Sequence, residues 1–86
     1  MTDKSIVVYG TAWCPGCRLA KRVLDDRHVP YRWVDIDADR AAQQEVLRLN
    51  GGMRSVPTII FPDGLVLVEP SGGQLIARLD KLQPSS

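Results

Sequence analysis

The sequence contains few of the residues that most often mark a specialised function. Its 86 residues include two cysteines, one histidine and one phenylalanine, and the formal net charge is only +1. A disulfide-stapled secreted chain of this size usually has four or more cysteines, and nucleic-acid-binding chains are usually strongly basic. We therefore expect neither a disulfide framework nor a nucleic-acid partner. The length predicts one domain over residues 1–86, with an ordered core of about 5–83.

Long hydrophobic runs are also missing from the chain. No apolar stretch approaches the roughly 20 residues that cross a bilayer. Near the start, only Ile6 to Tyr9 are continuously apolar, fewer than the roughly 7–15 residues of a signal-peptide core. The sequence therefore predicts no membrane partner and a cytoplasmic location, where thiols are kept reduced. We expect the protein to be a monomer.

What the chain does contain is a regular succession of strand and helix patterns. β-branched and aromatic runs predict four strands, and apolar residues spaced three and four positions apart predict three helices. In chain order the predicted elements are strand Ser5–Tyr9, helix Cys14–Arg27, strand Tyr31–Ile36, helix Arg40–Asn50, strand Ser55–Phe61, strand Leu65–Glu69 and a helix that follows Ser71. This β-α-β-α-β-β-α order predicts an α/β fold, a four-stranded mixed sheet with three helices.

Short polar segments set the expected boundaries. Asp37–Asp39 supplies a cap for the second helix, Asn50–Gly52 ends that helix, and Pro62–Gly64 predicts the turn of an antiparallel hairpin. The tail Pro84–Ser86 is expected to fray. The predicted buried helix positions are Leu19, Ala20, Val23 and Leu24 in the first helix, Ala42, Val46 and Leu49 in the second, and Leu75, Ile76, Leu79 and Leu82 in the third.

The two cysteines lie three positions apart at the start of the first helix. Residues i and i+3 are neighbours on a helix, so Cys14 and Cys17 can form and break a disulfide without rearranging the fold. Cys14 lies where unpaired N–H groups and the helix dipole favour an anion, and the thiolate is the nucleophilic form of cysteine. We therefore predict that Cys14 attacks a disulfide, that Cys17 resolves the adduct, and that Trp13 forms an apolar wall beside them.

Two other interpretations of a Cys-x-x-Cys pair deserve comparison. A closed zinc site needs four ligands, and the only obvious third one is His28, at the far end of the same helix. A pair of inert buried thiols is disfavoured, because a helix start that follows a strand is a poor place to bury them. A Cys-x-x-Cys beside a βαβ pattern is instead typical of redox proteins. We predict catalytic cysteines and no metal site.

The segment Val8–Cys17, VYGTAWCPGC, resembles a glutaredoxin active site, and the order of elements matches the thioredoxin fold. Ser55-Val56-Pro57 is similar to the family's Thr-Val-Pro segment. The resemblance implies that Pro57 follows a cis peptide bond and faces the cysteines. It also implies a disulfide reductase in which the backbone of Val56 pairs with an extended substrate. The predicted substrate-binding residues are Trp13, Pro15, Arg54, Val56, Pro57 and Ser71.

Several short motifs resemble the mycoredoxin-like branch of the glutaredoxins, whose members reduce mixed disulfides with mycothiol. They are Asp35-Ile36-Asp37, Arg40-Ala41-Ala42, Asn50-Gly51-Gly52, Ser55-Val56-Pro57 and Glu69-Pro70-Ser71. The resemblance implies oxidised proteins or mixed disulfides as substrates and a low-molecular-weight thiol as co-substrate. Because Pro15-Gly16 between the cysteines departs from the mycoredoxin pattern, both mycothiol and glutathione remain candidates for that thiol.

Two alternatives for the activity remain open at this point. One is a thioredoxin-like redoxin that a flavoprotein disulfide reductase recharges directly. The other is an iron–sulfur cluster carrier, in which two chains bridge one cluster through Cys14 and two external thiols. Trp13 and Pro15 crowd such a site, which argues against the carrier.

Overall fold

A computed structural model describes residues 5–82, except for the side chain of Leu82, so the predicted tail Pro84–Ser86 lies outside the described residues. It contains the predicted succession of strands and helices. In chain order they are β1 Ile6–Gly10, α1 Pro15–Asp26, β2 Tyr31–Asp35, α2 Arg40–Leu49, β3 Thr58–Ile60, β4 Val66–Val68 and α3 Gly72–Leu82. The sheet order is β2-β1-β3-β4. Because β1 and β2 are parallel and the other pairs antiparallel, the sheet is mixed, as predicted.

The last two strands are shorter than the sequence pattern predicts. β3 begins only at Thr58, since Pro57 has no N–H with which to pair to a neighbouring strand. β4 stops at Val68 because Glu69 has a φ of 49°, outside the extended region. The hairpin turn between the two strands is confirmed by Gly64, which has a φ of 92° and donates its N–H to Phe61 O at 2.9 Å.

Two apolar clusters lie on opposite faces of the sheet. One packs α1 and α3 against β1 and β3; its buried members are Ile6, Val8, Ala20, Leu24, Val29, Ile59, Phe61, Leu75 and Leu79. The other packs α2 against the alternate residues of β1 and β2, around buried Ile36, Ala42 and Val46. Successive residues of a strand point to opposite faces, so this arrangement covers the sheet on both sides and leaves its carboxyl-terminal edge for the loops.

The predicted buried faces of the helices are partly wrong. Leu19 and Ile76 are 44% and 37% exposed, because each lies one position, about 100° of helix rotation, from a stripe that repeats every fourth residue. Leu49 is half-buried, and the predicted core position Leu82 has no described side chain. The other predicted helix positions are buried or pack against the core.

The ends of α2 follow the expected polar signals. Asp39 rather than Asp37 is the N-cap, and its Oδ1 accepts a hydrogen bond from Ala42 N at 3.1 Å. Gly51 and Gly52 have φ values of 62° and 93°, so the helix ends in left-handed backbone, as predicted. None of the helices in residues 5–82 is long and apolar enough to span a membrane.

Candidate active site

The carboxyl end of β1 leads both cysteines into the first turn of α1. Cys14 is the N-cap, in extended backbone, and Pro15 occupies the first helical position, where its missing N–H is not needed. The N–H of Cys17 donates a hydrogen bond to Cys14 Sγ at 3.2 Å. A backbone N–H of the first turn of α1 therefore points at the Cys14 sulfur.

Both thiols are free and buried, although not to the same depth. Cys17 is 0% exposed and Cys14 is 6% exposed. Burial, together with the hydrogen bond to the Cys14 side chain, raises the pKa of Cys17 to about 12. The expectation that this helix start is a poor place to bury a thiol is therefore wrong, and what distinguishes the two cysteines is their hydrogen bonding and depth.

Gly10, the last residue of β1, makes room for the Cys17 sulfur. A Cβ built on Gly10 would lie 2.5 Å from Cys17 Sγ and 2.7 Å from Cη2 of Trp33, far inside contact distance. Trp33 itself is partly buried and packs against the core. The sequence pattern ended the first strand at Tyr9 and assigned Gly10 no packing role, whereas the structure shows that a glycine is required for this close approach.

The segment that leads into β3 closes over the cysteine turn. The Val56–Pro57 peptide bond is cis, as the resemblance implied. The Cys14 thiol donates to the carbonyl oxygen of Val56 across a distance of 3.7 Å. A Cβ built on Gly16 would lie 3.3 Å from Cδ of Pro57 and 3.9 Å from Cys14 Sγ. The small residue between the cysteines thus allows Pro57 to face them closely.

Trp13 and Arg54 are joined by a carboxylate that sequence reasoning did not assign to the site. The indole Nε1 of Trp13 donates to Asp37 Oδ2 at 3.0 Å, and Nη2 of Arg54 donates to Asp37 Oδ1 at 2.6 Å. Arg54 is one of the predicted substrate-binding residues. In this structure its charge is paired with Asp37.

The position of Asp37 follows from the register of the parallel strands. Gly10 at the end of β1 lies opposite Asp35 at the end of β2, so the loops that follow both strands leave the sheet at one edge. Asp37 lies in the loop after β2, and Trp13 in the loop after β1. The sequence does contain a signal for Asp37. It is a carboxylate just beyond the end of β2, a strand parallel to the one that leads into the cysteines.

A cavity of ≈ 170 Å³ opens where these loops meet. Thr11, Trp13, Ile36, Arg54 and Val56 line it, so three of the six predicted substrate-binding residues surround one cavity beside Cys14. The hydroxyl oxygen of Thr11 is buried and has no hydrogen-bond partner within residues 5–82.

Pro15 and Ser71 do not line this cavity. Pro15 faces a separate hollow on α1, together with Arg18, Leu19 and Arg22. Ser71 caps α3, where its Oγ accepts from Gln74 N at 3.1 Å while Gln74 Oε1 accepts from Ser71 N at 2.8 Å. Across the described part of the chain, no three side chains of His, Cys, Asp or Glu come together as a metal site would require.

Comparisons with known proteins agree with this geometry. A family model described as Glutaredoxin matches residues 6–66. The chain is similar to a glutaredoxin-type protein of Mycobacterium tuberculosis, with 39% identity over 82 residues, 95% of this chain and 98% of that protein. It is also similar to Mycoredoxin 1 of Corynebacterium glutamicum, with 35% identity over 78 residues, 91% of this chain and 96% of that protein.

Solved structures support the same assignment. The crystal structure of a thioredoxin-like protein matches with a TM-score of 0.70 and 32% sequence identity, over 91% of this chain and 99% of that one. The family match covers the cysteine turn, the cis-proline segment and all five residues that line the cavity. The chain therefore belongs to the glutaredoxin family and is a thiol–disulfide oxidoreductase with the thioredoxin fold.

Proposed function

We propose that the enzyme reduces mixed disulfides of proteins and low-molecular-weight thiols, with Cys14 as the attacking and Cys17 as the resolving residue. The observation that carries this proposal is the asymmetry of the pair. The Cys14 sulfur accepts the N–H of Cys17 at the start of α1, whereas burial raises the pKa of Cys17 to about 12. Since a thiolate attacks and a thiol does not, the first step belongs to Cys14.

The reaction proceeds in two exchanges. The Cys14 thiolate attacks a disulfide R–S–S–R′, forms Cys14–S–S–R and releases R′S⁻. Cys17 then loses its proton and attacks Cys14, which releases RS⁻ and leaves a Cys14–Cys17 disulfide. The negative charge and hydrogen bonding of Cys14 help to raise the pKa of Cys17. Because the adduct removes that charge, the first exchange itself makes the second one easier.

Two molecules of an external thiol must then reduce the protein disulfide. We propose that this thiol is mycothiol. The similarity to Mycoredoxin 1 over 91% of the chain supports this choice, as do the motifs around Asp37, Gly51 and Ser71. The cycle needs a compartment in which thiols persist, and we place it in the cytoplasm.

A comparison of reductants tests the proposal. The oxidised protein is incubated separately with mycothiol, with glutathione, and with NADPH and thioredoxin reductase, and the recovery of free protein thiols is followed over time. Mycothiol is expected to give the fastest recovery. Faster recovery with the flavoprotein would contradict mycothiol dependence and favour a thioredoxin-like redoxin. A brown colour after anaerobic reconstitution with iron and sulfide would instead favour a cluster carrier.

A further inference from the structure

We propose that Asp37 determines which thiol compounds the site prefers by their charge. Because Asp37 pairs with Arg54, the cavity favours uncharged thiol compounds over thiol compounds that carry carboxylates. The inference rests on the proposed reduction of low-molecular-weight-thiol disulfides and adds the class of substrate that this reaction prefers. Asp37 does not itself line the cavity but contacts two residues that do, so it acts as a positioning residue through Arg54 and Trp13.

The geometry uses both oxygens of one carboxylate. Oδ1 of Asp37 accepts from Arg54 at 2.6 Å, and Oδ2 accepts from the Trp13 indole at 3.0 Å. The two contacts leave no oxygen of Asp37 without a partner and fix two walls of the cavity beside Cys14. The side chains of Arg54 and Asp37 remain 49% and 42% exposed, so a ligand can approach the pair and dissolved salt can screen it.

The charge balance of the cavity follows from these contacts. Arg54 is the one charged residue among the five that line it, and the remaining lining groups are the Trp13 ring, two aliphatic side chains and the Thr11 hydroxyl. With Asp37 paired to Arg54, this wall carries no net charge. Arg18 and Arg22 line the separate hollow beside Pro15, so they do not set the balance here.

Selectivity follows from competition for the guanidinium group. Asp37 already offsets the charge of Arg54 through Nη2, so a ligand carboxylate that binds the other N–H groups of the guanidinium, or that displaces Asp37, gains little. It also approaches a second carboxylate, which repels it. An uncharged ligand faces neither effect and can pack against Trp13 and Val56. The cavity therefore discriminates against a thiol such as glutathione, which carries carboxylates, without any steric barrier.

Two small disulfides of similar length test this directly. The reduced protein is mixed with bis(2-hydroxyethyl) disulfide, which is uncharged, or with 3,3′-dithiodipropionate, which carries two carboxylates. Each molecule takes two electrons from Cys14 and Cys17 and becomes two free thiols, and the protein gains one disulfide. The measured quantity is the ratio of the two second-order rates of thiol loss, carboxylate probe over uncharged probe.

The informative variant is Asp37→Asn, because the amide keeps an oxygen for the Trp13 N–H while it removes the negative charge. We expect the ratio to rise about fivefold, the size of an exposed charge pair, and the rise to shrink at high salt. Asp80→Asn is the matched control. It causes the same change in net charge at an ion pair with Arg27, at the opposite end of α1, and should leave the ratio unchanged.

The double variant Asp37→Asn/Arg54→Gln should not show the increase in the rate ratio, because it lacks the guanidinium group that Asp37→Asn leaves unpaired. An unchanged ratio in Asp37→Asn, an equal rise in Asp80→Asn, or a gain that persists in the double variant would each overturn the inference. If the wild-type protein reacts normally but selectivity does not respond to Asp37, only this inference fails. If it reacts with neither probe, the proposed function fails as well.

Discussion

Cys14 and Cys17 lie in different environments and should respond differently to substitution. Cys14→Ser should abolish reduction of every disulfide, because Cys17 is fully buried and protonated near neutral pH. Cys17→Ser should accumulate a covalent adduct with a protein disulfide, since the resolving attack is missing. It should keep activity on small mixed disulfides, where an external thiol resolves the adduct.

Mass spectrometry of the trapped adduct and a coupled assay on a small disulfide measure the two effects. The double variant Cys14→Ser/Cys17→Ser is the control for adducts formed elsewhere. Equal loss of activity from both single substitutions on every substrate would contradict the assigned roles.

At the scale of single residues, the sequence located the cysteine pair at the start of a helix but did not predict the ion pair beside it. The spacing of Cys14 and Cys17 is local, and a helix start needs no tertiary information. The partner of Arg54 could not be predicted in the same way. Asp37 lies 17 positions away in the chain, and the two meet only because β2 and β3 both flank β1.

The end of β1 yields a prediction at the scale of elements. Gly10→Ala places a methyl group 2.5 Å from Cys17 Sγ and 2.7 Å from the Trp33 ring, and both neighbours belong to packed surroundings that cannot easily move. We expect the free energy of unfolding to fall by about 1–3 kcal/mol. Urea unfolding measures the loss.

Gly73→Ala is the matched control for this substitution. A Cβ at Gly73 would meet no heavy atom closer than Ser71 Oγ at 4.0 Å, and alanine is a better helix former than glycine by about 1 kcal/mol. This variant should therefore be as stable as the wild type or more stable. A Gly10→Ala protein with unchanged stability would show that the Cys17 sulfur has room to shift.

Local patterns predicted every helix and strand, and the errors concentrate where tertiary contacts fix the backbone. The predicted start of β3 at Ser55 is wrong because that stretch turns toward the cysteines. The predicted end of β4 at Glu69 is wrong because Glu69 leaves the extended region while its N–H still bonds Pro57 O at 2.8 Å. A pattern of alternating apolar residues contains neither contact.

For the molecule as a whole, three groups that folding buries wholly or in part predict a loss of stability at alkaline pH. Burial is the main cause that raises the pKa of Cys17, Tyr9 and Tyr31 above their ordinary values. Below about pH 8 these groups keep their protons in both states. As the pH rises, the unfolded chain releases protons first, so it is favoured and the free energy of unfolding falls.

Urea unfolding of the reduced protein at pH 7, 9 and 10.5 measures this dependence. The stability should fall steadily across that range. Cys17→Ala, although less stable at pH 7, should lose less stability between pH 7 and 10.5, because one of the three groups is gone. A wild-type stability that does not change across the range would contradict the assigned burial effects.

The order of the loops along the chain has a consequence for synthesis. Cys14 and Cys17 precede Val56 by about 40 residues, which ribosomes add in about 2–8 s. During that interval the nascent chain carries a complete dithiol without the carbonyl and proline that later close over it. The newborn thiols therefore lack the cover of that carbonyl and proline until the segment that leads into β3 has been made.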